Sequence, residues 1–174
     1  MFKKIVLATD GSRHAMKAAA IAADIAATYG AQLTIINVLP SALSLADVSK
    51  APQARKFDRK TRQEIFRVQR MVNQSPGDEA LYRYIPAFER VRSELSRRII
   101  DDAERVARAR KVKNIVRVSD TGDAAKAIVQ HVKKAKSDLV VLGARGLGGF
   151  AALVFGSVSR KVNAAVKCPS LIVK

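Results

Sequence analysis

Short uninterrupted apolar runs alternate along this chain with longer stretches in which apolar residues recur every three or four positions. The first run, Ile5-Val6-Leu7-Ala8, is bounded by Asp10-Gly11. It is too short for a helix and shows no polar alternation, so it predicts a strand buried on both faces. Ser12 can cap a helix that continues through Ala-rich sequence to Tyr29, with Gly30 as its stop. Leu33-Thr34-Ile35-Ile36-Asn37-Val38 predicts a second strand, ended by Pro40. The rhythm returns far along the chain. Asn114-Ile115-Val116-Arg117-Val118 predicts a strand, 123–136 a helix after Gly122, and Asp138-Leu139-Val140-Val141-Leu142 another strand. A Gly-rich loop follows, then a helix over about 157–166. Ser170-Leu171-Ile172-Val173 closes the series as a fifth strand. Strands alternating with helices predict βαβ units with right-handed crossovers, an α/β doubly wound domain on a parallel sheet.

Residues 41–86 break this rhythm. A βα connection is usually about two to six residues, so the stretch predicts an insertion after the second strand. Phe57, Thr61, Ile65, Val68 and Val72 fall at spacings of one helical stripe. Between Lys50 and Arg70 stand eight basic residues (Lys50, Arg55, Lys56, Arg59, Lys60, Arg62, Arg67, Arg70) against Asp58 and Glu64. Pro76-Gly77 is expected to end that segment. A long helix is expected over about 87–111, with Val91, Leu95, Ile99, Ala103 and Val106 on its buried side. A basic amphipathic helix can lie on an anionic surface. It can equally pack its stripe on the domain and turn its basic face to solvent.

Composition narrows the class. The 174 residues fit one domain. Hydrophobic residues at 48% exclude global disorder. The net charge of +17 favours polyanionic partners without bearing on the fold. One cysteine, Cys168, excludes an intramolecular disulfide and a Cys-rich zinc site; two histidines, His14 and His131, make a His-rich metal site unexpected. No apolar run reaches the roughly 20 residues of a membrane span. The N-terminal residues lack the pattern of a signal peptide. These features predict a cytoplasmic protein.

The strongest chemical signal is Gly143-Ala144-Arg145-Gly146, nine residues, then Gly156-Ser157. It lies between a predicted buried strand and a predicted helix, outside the carboxyl ends of the strands, where open α/β sheets bind ligands. Glycines there let backbone N–H groups approach phosphate oxygens, and a helix starting near Ser157 aims its unpaired N–H groups and positive dipole end at the same anion. Tight turns alone would also account for the glycines. Asp10, at the end of the first strand, can accept hydrogen bonds from a ribose or an amino group, or can simply complement the first helix. There is no Gly-x4-Gly-Lys-Ser/Thr loop and no Gly-x-Gly-x-x-Gly fingerprint. His14 and His131 read as surface or packing residues, and Cys168 as a small hydrophobe rather than a nucleophile. Aromatics at 5% supply a poor stacking platform for single-stranded nucleic acid.

Taken together, Thr9-Asp10-Gly11-Ser12 after the first strand and Gly-x2-Gly-x9-Gly-Ser before the last helix resemble the universal stress protein family, in its ATP-binding branch. Gly156-Ser157-Val158-Ser159 followed by Cys168-Pro169-Ser170-Leu171-Ile172-Val173 strengthens the resemblance, which covers about 1–38 and 112–174. It implies a Rossmann-like five-stranded parallel sheet of order 3-2-1-4-5, usually in a dimer, with the whole chain forming one nucleotide-binding domain. It also implies that Asp10 and Val38 contact the nucleoside. Leu142 and Gly143 would line that pocket through their backbones, and Arg145, Gly146, Gly156, Ser157 and Val158 would hold the phosphates. The implied role is a nucleotide-dependent regulator of the stress response that binds ATP, with Mg or Mn able to bridge the phosphates. Arg145 is the one ionisable side chain of the loop, so no residue there is placed to orient an attacking water, and little or no hydrolysis is expected. The alternatives are a basic module that binds nucleic acid or an anionic membrane with a modulatory nucleotide site, and a slow ATP-hydrolysing enzyme. The long basic connection after the second strand and the high net charge both depart from the family pattern.

Overall fold

In the computed structural model, which describes residues 2–74, 78–147 and 155–174 (side chains outside 71–84), the predicted alternation of strands and helices is present. In chain order the elements are β1 (Lys4–Ala8), α1 (Arg13–Tyr29), β2 (Gln32–Leu39), α2 (Leu45–Lys50), a 3-10 helix (Pro52–Lys56) and α3 (Arg59–Gln74). There follow α4 (Asp78–Ala109), β3 (Ile115–Thr121), α5 (Ala124–Ala135), β4 (Leu139–Gly143), α6 (Ser157–Ala165) and β5 (Ser170–Val173). All strand pairs are parallel and the order is β3-β2-β1-β4-β5, as the resemblance implied. In register, Ala8 of β1 stands between Ile36 of β2 and Leu142 of β4.

The period of two along the strands divides the core. Ile5, Leu7, Leu33, Ile35 and Val141 face α1 and α4, where Ala18, Ala19, Ala22, Ala23 and Ala26 let α1 approach the sheet closely. Val6, Ala8, Ile36, Val140 and Leu142 face the other way, onto Ile128 and Val132 of α5 and Val162 of α6. Local signals set the helix ends. Ser12 Oγ accepts the Ala15 N–H at 3.2 Å. Gly30 ends α1 in the left-handed conformation with φ 63°.

The inserted stretch builds a third apolar cluster. Val48, Ala51, Phe57 and Ile65 pack with Leu39 of β2 and with Val91, Leu95 and Ile99 of α4. A fully buried ring such as Phe57 contributes about 1.5–3 kcal/mol of burial free energy. The apolar stripe therefore faces the domain. It does not belong to one helix: Phe57 precedes α3, and a capping-box helix and a 3-10 helix come before it. The Val72 side chain and Pro76-Gly77 lie outside the described residues. α4 begins at Asp78 rather than near 87 and carries Pro86 in its interior. An interior proline costs about 3 kcal/mol in an isolated helix; local propensity alone would stop the helix there. β3 extends to Thr121, three residues beyond the predicted strand, because its pairing with β2 continues to Leu39.

Candidate functional site

The carboxyl ends of β1 and β4 lie side by side in the sheet, and a carboxylate joins the loops that follow them. Asp10, one residue past Thr9, accepts the Ser12 N–H through Oδ1 and the Leu147 N–H through Oδ2, both at 2.9 Å. The Asp10 carboxylate therefore holds the loop after β4 against the end of β1. Each carboxylate oxygen retains a further lone pair, so a hydroxyl donor can still be accommodated. Gly146 lies directly against this carboxylate: a Cβ there would overlap Asp10 Oδ2. The β1–β2 pairing ends at Ala8–Ile36, and Val38 lies two residues further along β2. Val38 is half-buried on the α5 and α6 face.

The two ends of the Gly-rich loop are pinned together. The Gly156 N–H donates to Ala144 O at 2.6 Å, and the Ser159 hydroxyl donates to the same carbonyl at 3.1 Å. The Ser12 hydroxyl donates to Arg145 O at 3.2 Å. Gly156 caps α6 in an extended conformation with no side-chain hydrogen bond to the first turn. Ser157 and Val158 in that turn are exposed. The positive end of the α6 dipole and its first N–H groups thus lack a capping side chain. Arg145 is half-buried in the same loop. Gly148-Gly149 lies outside the described residues.

Not every glycine of the motif stands open to a ligand. A Cβ on Gly143 would lie 2.7 Å from Ala15 N and 2.8 Å from His14 C. Gly143 is glycine because β4 runs into the start of α1. Leu142 is buried in the core, so only its backbone can serve a pocket. The structure thus brings Asp10, Gly146 and the Arg145 backbone together at the end of β1, with Gly156 tied to Ala144. Gly143 belongs chiefly to the packing beneath.

Two residues that carry no motif complete the turn at the end of β1. Asn37, wholly buried in β2, donates to Thr9 O at 2.8 Å. Gln53, from the 3-10 helix of the insertion, is 3% exposed and donates to Gly11 O at 3.3 Å and to Asp102 Oδ2 at 3.4 Å. Asp102 of α4 also binds both Lys56, at 2.7 Å, and Arg105. A polar residue inside the apolar run 33–38 was a signal for Asn37; nothing in the sequence marked Gln53. Cys168 and His131 lie away from this turn. Burial pushes the Cys168 thiol up, away from the reactive thiolate form, and pushes the His131 imidazole down. Among the described residues there is no cluster of three His, Cys, Asp or Glu side chains that could hold a metal ion, and no helix long and apolar enough to cross a membrane.

Comparison with known proteins bears on the family and the fold. A profile of the universal stress protein family matches residues 1–174. A universal stress protein of Thermus aquaticus is 31% identical over 177 residues, covering 100% of both chains. The crystal structure of a universal stress protein in complex with cAMP superimposes with a TM-score of 0.60 at 23% identity, covering 99% of this chain and 97% of the other. The universal stress protein of Archaeoglobus fulgidus in complex with dAMP superimposes with a TM-score of 0.58 at 15% identity, covering 100% and 98%.

Proposed function

Because the chain belongs to the universal stress protein family, we propose that it binds ATP at the ends of β1 and β4. We further propose that it acts as a cytoplasmic, nucleotide-dependent regulator of the stress response. The observation that carries this reading is the uncapped first turn of α6, tied through Ala144 to the loop that Asp10 holds in place. An N-terminal helix turn without a capping side chain suits an anion. The cAMP and dAMP complexes of structural neighbours support an adenine nucleotide as that anion's carrier. Asp10 and Val38 would hold the nucleoside, with the backbones of Leu142 and Gly143 beneath it. Arg145, Gly146, Gly156, Ser157 and Val158 would hold the phosphates.

These residues suit binding better than turnover. Asp10 already accepts two backbone N–H groups that shape the site, which suits it to positioning rather than to proton transfer. Mg or Mn would have to be held mainly by the phosphates, since no cluster of protein ligands is present among the described residues. Little or no hydrolysis follows. A dimer formed through β5, at the edge of the sheet, completes the reading.

A second reading concerns the insertion. Its basic residues Arg55, Arg59, Lys60, Arg67 and Arg70 are exposed. Such a face fits an anionic partner, with the nucleotide site modulating the encounter.

The nucleotide reading is tested by thermal unfolding with ATP, ADP and AMP. Ligand stabilisation is about 2.7 kcal/mol at a hundredfold excess over Kd. The melting temperature of the wild type should rise with ATP, and that of Gly146→Val should not. An equal rise in both would remove the site from the loops around Asp10.

A further inference from the structure

Phe66 is 74% exposed, in the middle of a helix whose apolar stripe is already used. Ile65 of α3 is buried against α4 and Val68 on the same side is buried as well, so the outward face of α3 is a separate surface. Along that face Arg59, Arg62, Phe66 and Arg70 follow one another at intervals of three and four residues, which places them on one stripe. Lys60 and Arg67 stand beside it, both exposed. The acidic residue of α3, Glu64, is drawn aside by Arg90 at 3.1 Å. Among the described residues Arg59, Lys60, Arg67 and Arg70 have no acidic partner. Arg62 donates to Phe57 O at 2.8 Å, which holds its guanidinium at the start of the stripe.

We infer that this face of α3 docks the protein on an anionic lipid bilayer, with Phe66 entering the headgroup region and the surrounding cations on lipid phosphates. The inference deepens the anionic-partner reading above by choosing the partner. A second copy of the chain is disfavoured because the same cations would face each other. Single-stranded nucleic acid is disfavoured because it stacks successive bases on several aromatic rings, and Phe66 is the one aromatic residue of α3. Duplex nucleic acid would use the cations and leave the ring in water. A bilayer interface uses both, since an aromatic ring gains on leaving water and each cation near an anionic surface strengthens binding about fivefold. The net charge of +17 adds long-range attraction to any such surface.

The test is co-sedimentation of the full chain with phosphatidylcholine vesicles, with and without phosphatidylglycerol, alongside titration with single-stranded and duplex DNA, all at low salt. The wild type should bind only the phosphatidylglycerol vesicles strongly, and binding should fall as salt rises. Phe66→Ala keeps every charge and removes no buried group; it should weaken vesicle binding about tenfold. Replacing Arg59, Arg67 and Arg70 by Glu should weaken it by roughly a hundredfold or more, while the Lys versions retain it. Unchanged melting temperatures would show that the fold is intact. DNA binding indifferent to Phe66→Ala, without vesicle binding, would overturn the bilayer inference and leave the anionic-partner reading standing. Binding to neither would overturn both, and vesicle binding that survives Phe66→Ala at full strength would overturn the role of the ring.

Discussion

The side-chain amide of Gln53 rests on the backbone of Gly11, at a position where any other residue would place its Cβ. Gly11 has φ +75°, and a Cβ there would lie 2.8 Å from Gln53 Cδ. The insertion is thereby locked onto the turn that presents Asp10. Gly11→Ala meets two costs: about 1–2 kcal/mol for the left-handed backbone, and the displacement of a buried amide worth about another 1 kcal/mol. Urea unfolding should show a loss of about 2–3 kcal/mol. Gln53→Ala should cost about 1 kcal/mol in the wild type and almost nothing further in the Gly11→Ala background, where the amide is already displaced, a coupling that a double-mutant cycle measures. Strict additivity of the two changes would contradict the contact.

Gly143 and Gly146 should respond differently to the same substitution. The Cβ of Gly143→Ala meets backbone of α1, which cannot give way without moving the helix. The variant should lose more than about 4 kcal/mol or fail to fold. The Cβ of Gly146→Ala meets a carboxylate that can rotate, at the cost of the Asp10–Leu147 bond, about 1 kcal/mol. It should stay folded and lose ATP affinity. Equal melting temperatures for the two variants would refute the distinction.

Acidification gives a separate test. Burial holds the His131 imidazole below its ordinary value of 6.5; Lys134 adds to the push and Asp120 opposes it. In that window the unfolded chain binds the proton more readily. The stability contributed by neutral His131 is therefore full above 6.5 and is lost as pH falls through the folded value. Asp58, Asp123 and Asp138 are held below 3.8 by backbone N–H donors, so their losses come at lower pH. Between about pH 7 and pH 5, His131→Gln should flatten the fall in melting temperature. An unchanged slope would count against it.

The dimer is tested at the free edge of β5. Pro169 and Val173 turn their carbonyls to Val140 of β4 and to Ala144 just after it. By the alternation of a parallel ladder, Ile172 turns its N–H and C=O outward. An apolar edge strand invites pairing with a symmetry mate. Ile172→Pro removes an outward donor and spares the bonds to β4, so it should give a folded monomer. Sedimentation should return twice the chain mass for wild type and once for the variant. A monomeric wild type would remove the interface.

How much the sequence revealed varied with the range of the forces involved. β1, β4 and β5 were legible because their apolar runs need burial on both faces, and Ser12 and Gly30 marked α1 through local chemistry. The end of β3 was missed because exposed Ser119, Asp120 and Thr121 are held by pairing with β2, a long-range effect with no apolar signature. The start of α4 was misplaced because Pro86 signals a boundary by its local chemistry, whereas the helix runs through it. At the candidate site, Asp10 and Gly146 were found by motif, and the structure supplies the reason that they belong together. Gln53 was invisible, since its role depends on an insertion folding back over a turn 42 residues away in sequence.

Calorimetric titration of ATP into the purified wild-type chain decides whether the loops around Asp10 take an adenine nucleotide. Saturable binding at one site per chain is expected, lost in Gly146→Val. No saturable heat at any ATP concentration that the cell sustains, or unaltered binding in Gly146→Val, would contradict it.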